Sequence, residues 1–212
     1  MARRNAELPA CPSLIFEEAL WAAGVRLVAG IDEAGRGPLA GPVAAAAVIL
    51  PDNPQVAEQL PGVRDSKQLS PIARQAARQR IIDHALAWGV DFASPQEIDE
   101  LGILPATCLA ANRALEKLTI HPEHLLLDCL FLRELHLPQT SLVKGDCRSL
   151  SIAAASVLAK TARDALMLEL DAQYPGYGLA AHKGYGTLAH RQAIRLLGPS
   201  PIHRQSFTLL GK

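Results

Sequence analysis

No stretch of this 212-residue sequence approaches the ~18 consecutive apolar residues of a membrane span. Arg3 and Arg4 stand near the start, but no long apolar segment follows them, so no export signal is expected. Cysteine is scarce as well. Cys11, Cys108, Cys129 and Cys147 lie far apart and form no CxxC pair, which argues against a zinc site and fits free thiols in a reducing compartment. These absences point to the cytoplasm, away from any membrane. Internal repeats, low-complexity segments and linkers are also missing, and the length suits one sizeable core. There is no net charge either: 21 Lys and Arg balance 21 Asp and Glu. Taken alone, that balance argues against a nucleic-acid partner.

The distribution of charge changes the inference. Residues 1–143 carry 12 Lys/Arg against 17 Asp/Glu, whereas residues 144–212 carry 9 against 4. A basic final third on an otherwise acidic chain suits a polyanion, chance asymmetry on a solvated surface being the alternative.

Residues 1–25 read as a loose arm with Pro9 and Pro12, then a short helix over 14–23 stopped by Gly24. Residues 26–212 read as a single domain. Strands are expected over 26–31 and 43–50, joined by a glycine-rich turn. Ser70-Pro71 opens a helix expected to reach Trp88, with Gly89 as its stop. A short strand over 90–93, a capping box at Ser94-Pro95-Gln96-Glu97 and a helix over 103–118 follow. Further strands are expected over 124–130 and 141–144, then a long Ala-rich helix over 149–170. A loop of glycine, tyrosine and basic residues spans 174–186, before a last helix over 187–197. Early strands and later helices indicate an α/β fold with a helical C-terminal portion.

The chemistry lies where carboxylates interrupt apolar runs. Asp32 and Glu33 end the first strand, directly before Gly35-Arg36-Gly37-Pro38; Asp128 follows three leucines, and Asp146 ends the next run. An unpartnered buried carboxylate is expensive, and strand ends of an α/β sheet converge on one rim, where ligands bind. Four carboxylates gathered there would repel one another unless cations sit among them. An all-oxygen donor set favours Mg²⁺ or Mn²⁺ over zinc, and two such ions ~3.5–4 Å apart form the clamp of phosphoryl-transfer nucleases. A lone Asp at a strand end is more often a cap or turn residue. Three such positions together are hard to explain that way.

The segment from Gly30-Ile31-Asp32-Glu33-Ala34-Gly35-Arg36-Gly37 to Pro42-Val43 resembles the opening signature of the type 2 ribonucleases H, specifically the bacterial ribonuclease HII family. Further blocks follow in the family's order. Asp65-Ser66-Lys67-Gln68-Leu69-Ser70 resembles its DSKxLS segment, and Lys144-Gly145-Asp146 with residues 151–164 its KGD-and-helix motif. His182-Lys183-Gly184-Tyr185-Gly186-Thr187, with His190, resembles its KGYGT loop. The blocks cover nearly all of Leu27 to Phe207.

The resemblance implies a ribonuclease H-like mixed β-sheet flanked by helices, with a C-terminal helical extension. It implies an endonuclease that cuts the RNA strand of RNA–DNA hybrids and the 5′ side of single ribonucleotides in duplex DNA, leaving 5′-phosphate and 3′-hydroxyl ends. Its catalytic metal ligands fall on Asp32, Glu33, Asp128 and Asp146, holding two Mg²⁺ or Mn²⁺ ions. Gly35, Arg36 and Gly37 would contact the 2′-hydroxyl and neighbouring phosphates, and Tyr185 would stack on the sugar at the RNA–DNA junction. Ser66, Lys67, Lys160, Arg163 and Lys183 are candidate substrate contacts, a solvated face being the alternative for the basic ones. Asp164 competes as fourth ligand and is set aside, because a strand end reaches the rim. Tyr177 mimics the junction loop without the preceding Lys-Gly and is assigned to packing; His190 and His203 are either near-site or structural. The sequence departs from the family pattern at Cys129, where glycine is commoner, and at Gly102, where asparagine is usual. A hybrid-binding module that does not cut would have lost one of the four carboxylates, and none is replaced. A ribonuclease HIII-like enzyme would need an added N-terminal domain where only residues 1–25 precede the first expected strand. A monomer is expected, and a sliding-clamp contact by the tail is left open.

Overall fold

The computed structural model describes residues 9–210. Part of the expected N-terminal arm, residues 1–8, lies outside the described residues. The elements in chain order are α1 (Ile15–Ala22), β1 (Val28–Ala34), β2 (Val43–Ile49), α2 (Val56–Gln59), α3 (Pro71–His84), β3 (Ala87–Ala93), α4 (Pro95–Leu101) and α5 (Ile103–Glu116). Then come β4 (His124–Asp128), β5 (Gln139–Leu142), α6 (Leu150–Gln173), α7 (Leu179–His182) and α8 (Leu188–Leu197), with 3₁₀ turns at Ser66–Gln68 and Gly145–Cys147. The strands form a mixed sheet in the order β3-β2-β1-β4-β5, flanked by helices. β1, β4 and β5 run parallel, with Ile31 opposite Leu127 and Asp128 opposite Leu142. No described helix is long and apolar enough to cross a membrane.

The chain divides into two compact units: Met1–Asp32, Val48–Ala87 and Ile120–Val157 in the first, Glu33–Ala47, Trp88–Thr119 and Leu158–Lys212 in the second. In the first, Val28, Leu126, Leu142 and Ile152 form a core against which Phe16, Leu20 and Trp21 of α1 pack. A Cβ on Gly30 would fall 2.1 Å from the Ser151 carbonyl carbon, so the start of α6 rests directly on β1 where the strand has no side chain. That helix start is anchored by a buried carboxylate. Glu17 accepts from Ser149 Oγ (2.6 Å), Ser151 N (3.0 Å) and Ser151 Oγ (2.6 Å), an arrangement that places negative charge at a helix N-terminus.

In the second unit, Leu39, Met167, Tyr177, Leu179, Ile194 and Ile202 make the core. The capping box at Ser94 and Glu97 forms as expected. Glu97 also receives Arg113 Nη2 at 2.6 Å; that bond, with the Ser94 backbone bond behind it, holds its carboxyl down at about 2.

Several boundaries differ from expectation: β4 ends at Asp128 rather than at residue 130, and β5 spans Gln139–Leu142 rather than 141–144. α3 ends at His84 rather than Trp88, because Leu86 N donates to Ile49 O and turns the chain into the sheet. Gly89 therefore lies inside β3. A Cβ there would fall 2.2 Å from Ala114 O, so its role is close approach of α5, not helix termination. β1 runs on to Ala34, which puts Asp32 and Glu33 within the strand. The expected loop over 174–186 contains the short α7.

Candidate functional site

Within the first unit, three expected acids come together. Asp32 follows Ile31 on β1 and Asp128 follows Leu127 on β4; those neighbours are register partners, so the two acids leave adjacent parallel strands at one level. Asp146 arrives differently from expectation. It sits in the 3₁₀ turn after β5, not at a strand end, because Lys144 adopts a left-handed conformation (φ 54°) and turns the chain back. Gly145 N then donates to Asp128 Oδ1 at 2.8 Å. Carboxylate oxygens of Asp32, Asp128 and Asp146 lie within 4.8 Å of one another. Cys129, directly after Asp128, has φ 47°, a region that favours glycine, the residue the resemblance leads one to expect there.

Burial, and then the neighbouring charges of Asp128 and Asp65, push the Asp146 carboxyl above the ordinary range; Lys67, which is exposed, opposes them. Acids this close destabilise one another when ionised, and a divalent cation relieves the repulsion. Hard oxygen donors suit Mg²⁺ or Mn²⁺, so the residues present fit the ion. Asp65, Asp146 and Cys147 form a second close group. Burial and Asp146 push the Cys147 thiol up to about 11, so it offers no thiolate at neutral pH. Glu33 is not among the three convergent acids. Successive strand residues point to opposite faces, and Glu33 Oε1 accepts from Arg36 Nη1 at 3.1 Å.

Within the second unit, the Gly35-Arg36-Gly37 turn and the residues after it are held by two buried arginines. Arg204, 0% exposed, donates to the carbonyls of Gly41 (2.9 Å), Arg36 (2.9 Å) and Gly35 (2.7 Å). Arg163, 1% exposed, donates to those of Pro42 (2.9 Å), Ala40 (3.1 Å) and Lys183 (3.0 Å). Burial lowers Arg163 to about 10 and Arg204 to about 9, and both remain charged at neutral pH. At Gly35, φ is 97° and a Cβ would fall 2.0 Å from Arg163 Nε, so both conformation and space require glycine. The loop of Tyr185 docks on the same segment: Leu39 N donates to Gly184 O at 2.8 Å. Tyr185 is 44% exposed, and its Cε1 is the nearest atom, at 3.8 Å, to a Cβ built on Gly37.

The remaining candidates fall elsewhere. Arg163 is corrected: it is 1% exposed, and its Nε, Nη1 and Nη2 each donate to a backbone carbonyl, so it holds the fold rather than facing a phosphate. Ser66 is corrected too, being buried with its Oγ 3.0 Å from Ser156 Oγ and its carbonyl accepting from Arg74 Nε at 2.9 Å. Lys160 pairs with Asp164 at 2.6 Å, which gives Asp164 a structural partner. Lys183 Nζ donates to Ala180 O. Tyr177 is buried, with its hydroxyl donating to Gly198 O at 2.8 Å, the packing role expected of it. His190 and His203 are buried beside each other. Arg204 and Glu17 were not among the expected site residues. Neither carries a local signal, since a buried charge satisfied by distant partners reads in sequence like a surface one. Part of the basic excess in residues 144–212 is thus interior.

The family model described as Ribonuclease HII matches residues 29–210. Ribonuclease HII of Syntrophotalea carbinolica is 54% identical over 194 residues, covering 92% of this chain and 91% of its own. Among solved structures, ribonuclease H2 from Pyrococcus horikoshii OT3 superposes with a TM-score of 0.72 at 27% identity, over 86% of this chain and 94% of its own. The ribonuclease HII in the PCNA:RNase HII complex of Archaeoglobus fulgidus gives 0.72 at 27%, over 88% and 97%.

Proposed function

The chain belongs to the ribonuclease HII family, and from that premise we propose a metal-dependent endonuclease of the cytoplasm that hydrolyses the RNA strand of RNA–DNA hybrids. On the same reading it cuts on the 5′ side of single ribonucleotides embedded in duplex DNA, leaving 5′-phosphate and 3′-hydroxyl ends. The observation that carries the reading is the mutual approach of Asp32, Asp128 and Asp146 within 4.8 Å. These three, with Glu33 next in the chain, would hold two Mg²⁺ or Mn²⁺ ions. When bound, the ions supply Lewis-acid stabilisation of charge developing on the phosphodiester and lower the pKa of water.

The protein's own groups do the recognition. Gly37, exposed and without a side chain, lets a ribose 2′-hydroxyl approach the backbone, the feature that separates RNA from DNA. The exposed Tyr185 ring beside it offers a flat partner to a sugar or base. Arg204 contributes indirectly, by pinning the Gly35 and Arg36 carbonyls of this turn, and Arg163 by pinning those of Ala40, Pro42 and Lys183 beside it. Two residues separate Asp32 from Gly35, three steps that span at most about 11 Å of extended chain, so recognition and cutting are tied closely along the sequence. A sliding-clamp contact belongs to the same reading, supported by the clamp complex of the Archaeoglobus relative.

The test is a duplex holding one ribonucleotide, incubated with and without Mg²⁺ or Mn²⁺, with the cut position mapped. Cleavage 5′ of the ribonucleotide, dependent on the cation, is expected, and Asp32→Asn should be folded and inactive. Normal turnover by that variant, or undiminished cleavage in EDTA, overturns the reading. Tyr185→Ala should lose more activity on the single ribonucleotide than on a continuous hybrid.

A further inference from the structure

The histidines of the second unit have no part in the reaction proposed above, yet they form one connected system. His182 and His190 stack with centroids 4.3 Å apart, and the His203 ring lies 4.9 Å from that of Tyr177. Their hydrogen bonds fix where each ring proton sits. A carbonyl oxygen only accepts, so His190 Nδ1, 3.0 Å from Tyr185 O, carries a proton. A backbone N–H only donates, so His203 Nδ1, 3.0 Å from Ser200 N, is bare. Ser200 Oγ, at 2.9 Å, donates to the same nitrogen. A proton on His203 Nδ1, aimed at Ser200 O 3.3 Å away, would face the Ser200 N–H and is excluded.

The His203 proton is therefore on Nε2 and is donated across 3.1 Å to His190 Nε2. Donation runs one way, from Ser200 through His203 and His190 to the Tyr185 carbonyl. His182 obeys the same logic, accepting from Gly184 N at 3.2 Å and donating to Tyr177 O at 2.8 Å. Each ring is neutral and in a single tautomer. Burial lowers both His190 and His203, in agreement with neutral rings.

The end of the chain is what gives it consequence. Tyr185 O also accepts from Thr187 N at 2.8 Å, and Tyr185 N donates to His182 O at 2.9 Å. The backbone of the residue whose ring stands beside Gly37 is thus held at both its polar atoms, and one of those bonds comes from the buried relay. We propose that Ser200, His203 and His190 are positioning residues that set the pose of Tyr185, and through it the discrimination between a lone ribonucleotide and a continuous hybrid. This rests on the role given to Tyr185 above.

The test compares kcat/KM on a single-ribonucleotide duplex with that on a continuous hybrid, for Tyr185→Ala, His203→Phe, His203→Gln and the double variant Tyr185→Ala/His203→Phe. Gln keeps the order of the relay, its amide oxygen accepting from Ser200 and its amide N–H donating to His190, and should retain the wild-type ratio. Phe leaves His190 Nε2 without a donor and should lower the ratio about tenfold, the factor that goes with one lost hydrogen bond. In the Tyr185→Ala background the same change should have no further effect on the ratio. If Tyr185→Ala leaves the ratio unchanged, the role of Tyr185 itself fails. If Tyr185→Ala lowers it and His203→Phe does not, the relay alone is refuted.

A measurement on the native protein stands apart from whether any variant folds. Nitrogen-15 spectra of the imidazoles at neutral pH should show His190 protonated at Nδ1 and His203 and His182 at Nε2. The opposite tautomer at His190 or His203 overturns the proposal.

Discussion

Replacing Asp128 by Asn should stabilise the metal-free protein and abolish most of its response to divalent cations. Carboxylate oxygens of Asp32, Asp128 and Asp146 lie within 4.8 Å of one another. At an effective dielectric of about 20, each fully ionised pair at that distance costs about 3.5 kcal/mol. The substitution removes two of the three pairs. It also keeps an amide oxygen to accept from Gly145 N, which donates to Asp128 at 2.8 Å. Asp128 is partly open to water, so the net gain should be on the order of 1–3 kcal/mol.

The sign with pH follows from Asp146, whose carboxyl burial and Asp128 hold above the ordinary 3.8. The folded protein keeps that proton to higher pH than the unfolded chain. Its contribution to stability is therefore present below the unfolded value and lost as pH rises through the folded one. The advantage of Asp128→Asn should be smaller near pH 4 than at pH 8. Urea unfolding in EDTA at the two pH values measures it. Adding Mg²⁺ or Mn²⁺ at a hundred times the dissociation constant should then stabilise the wild type by about 2.7 kcal/mol and the variant far less. A variant less stable than the wild type at pH 8 in EDTA, or a wild type indifferent to either cation, would refute the reasoning.

Arg204→Met preserves approximate length but removes three bonds from a charged group to the carbonyls of Gly41, Arg36 and Gly35. At about 1.5–3 kcal/mol each, the loss should exceed ~4 kcal/mol in urea unfolding, with hybrid cleavage falling steeply; a loss under ~1 kcal/mol would show that the clamp is unimportant. Acid should act through the histidines. His190 is held at about 4 against 6.5 for an exposed histidine, so the unfolded chain takes up its proton first. The stabilisation is complete above pH 6.5 and is lost as pH falls toward 4, by roughly 3 kcal/mol at most. Thermal melts of the wild type and His190→Gln should converge across that window, and parallel curves would contradict it.

Elements with short-range signatures were legible in the sequence. The Ser94/Glu97 capping box, the Ser70-Pro71 helix start and the apolar runs of β2 and β4 all depend on neighbours within a few residues. The acids that converge were legible for the same reason: each is a charge placed beside an apolar run. What escaped depended on distant partners. Gly89 looks like a helix stop until Ala114 O is known to lie where its Cβ would be. Asp146 reaches Asp128 through a left-handed Lys144, a conformation that nothing around Lys144 demands. Arg163 and Arg204 are separated from the carbonyls they bind by 120 residues or more, apart from the Lys183 bond. Hydrophobic periodicity reports where apolar side chains are buried and says nothing about a buried guanidinium.

The two sets of functional residues are prepared in opposite ways. The carboxylates are held in a state that repels itself, so a cation is stabilised there by relief of that repulsion as well as by its own bonds. The turn given the recognition role in the proposed function is already held before any ligand arrives. Two guanidinia together donate to the carbonyls of Gly35, Arg36, Ala40, Gly41, Pro42 and Lys183, and a chain of neutral histidines holds Tyr185. Burying two arginines is costly unless their N–H groups find partners, and here each nitrogen of both guanidinia donates to a carbonyl outside any long helix or strand. The arrangement exchanges water around a glycine-rich turn for fixed donors. If this turn reads a 2′-hydroxyl through its backbone, as proposed, it must hold its shape without the ribose, because any ordering left until binding would be subtracted from the affinity that separates RNA from DNA.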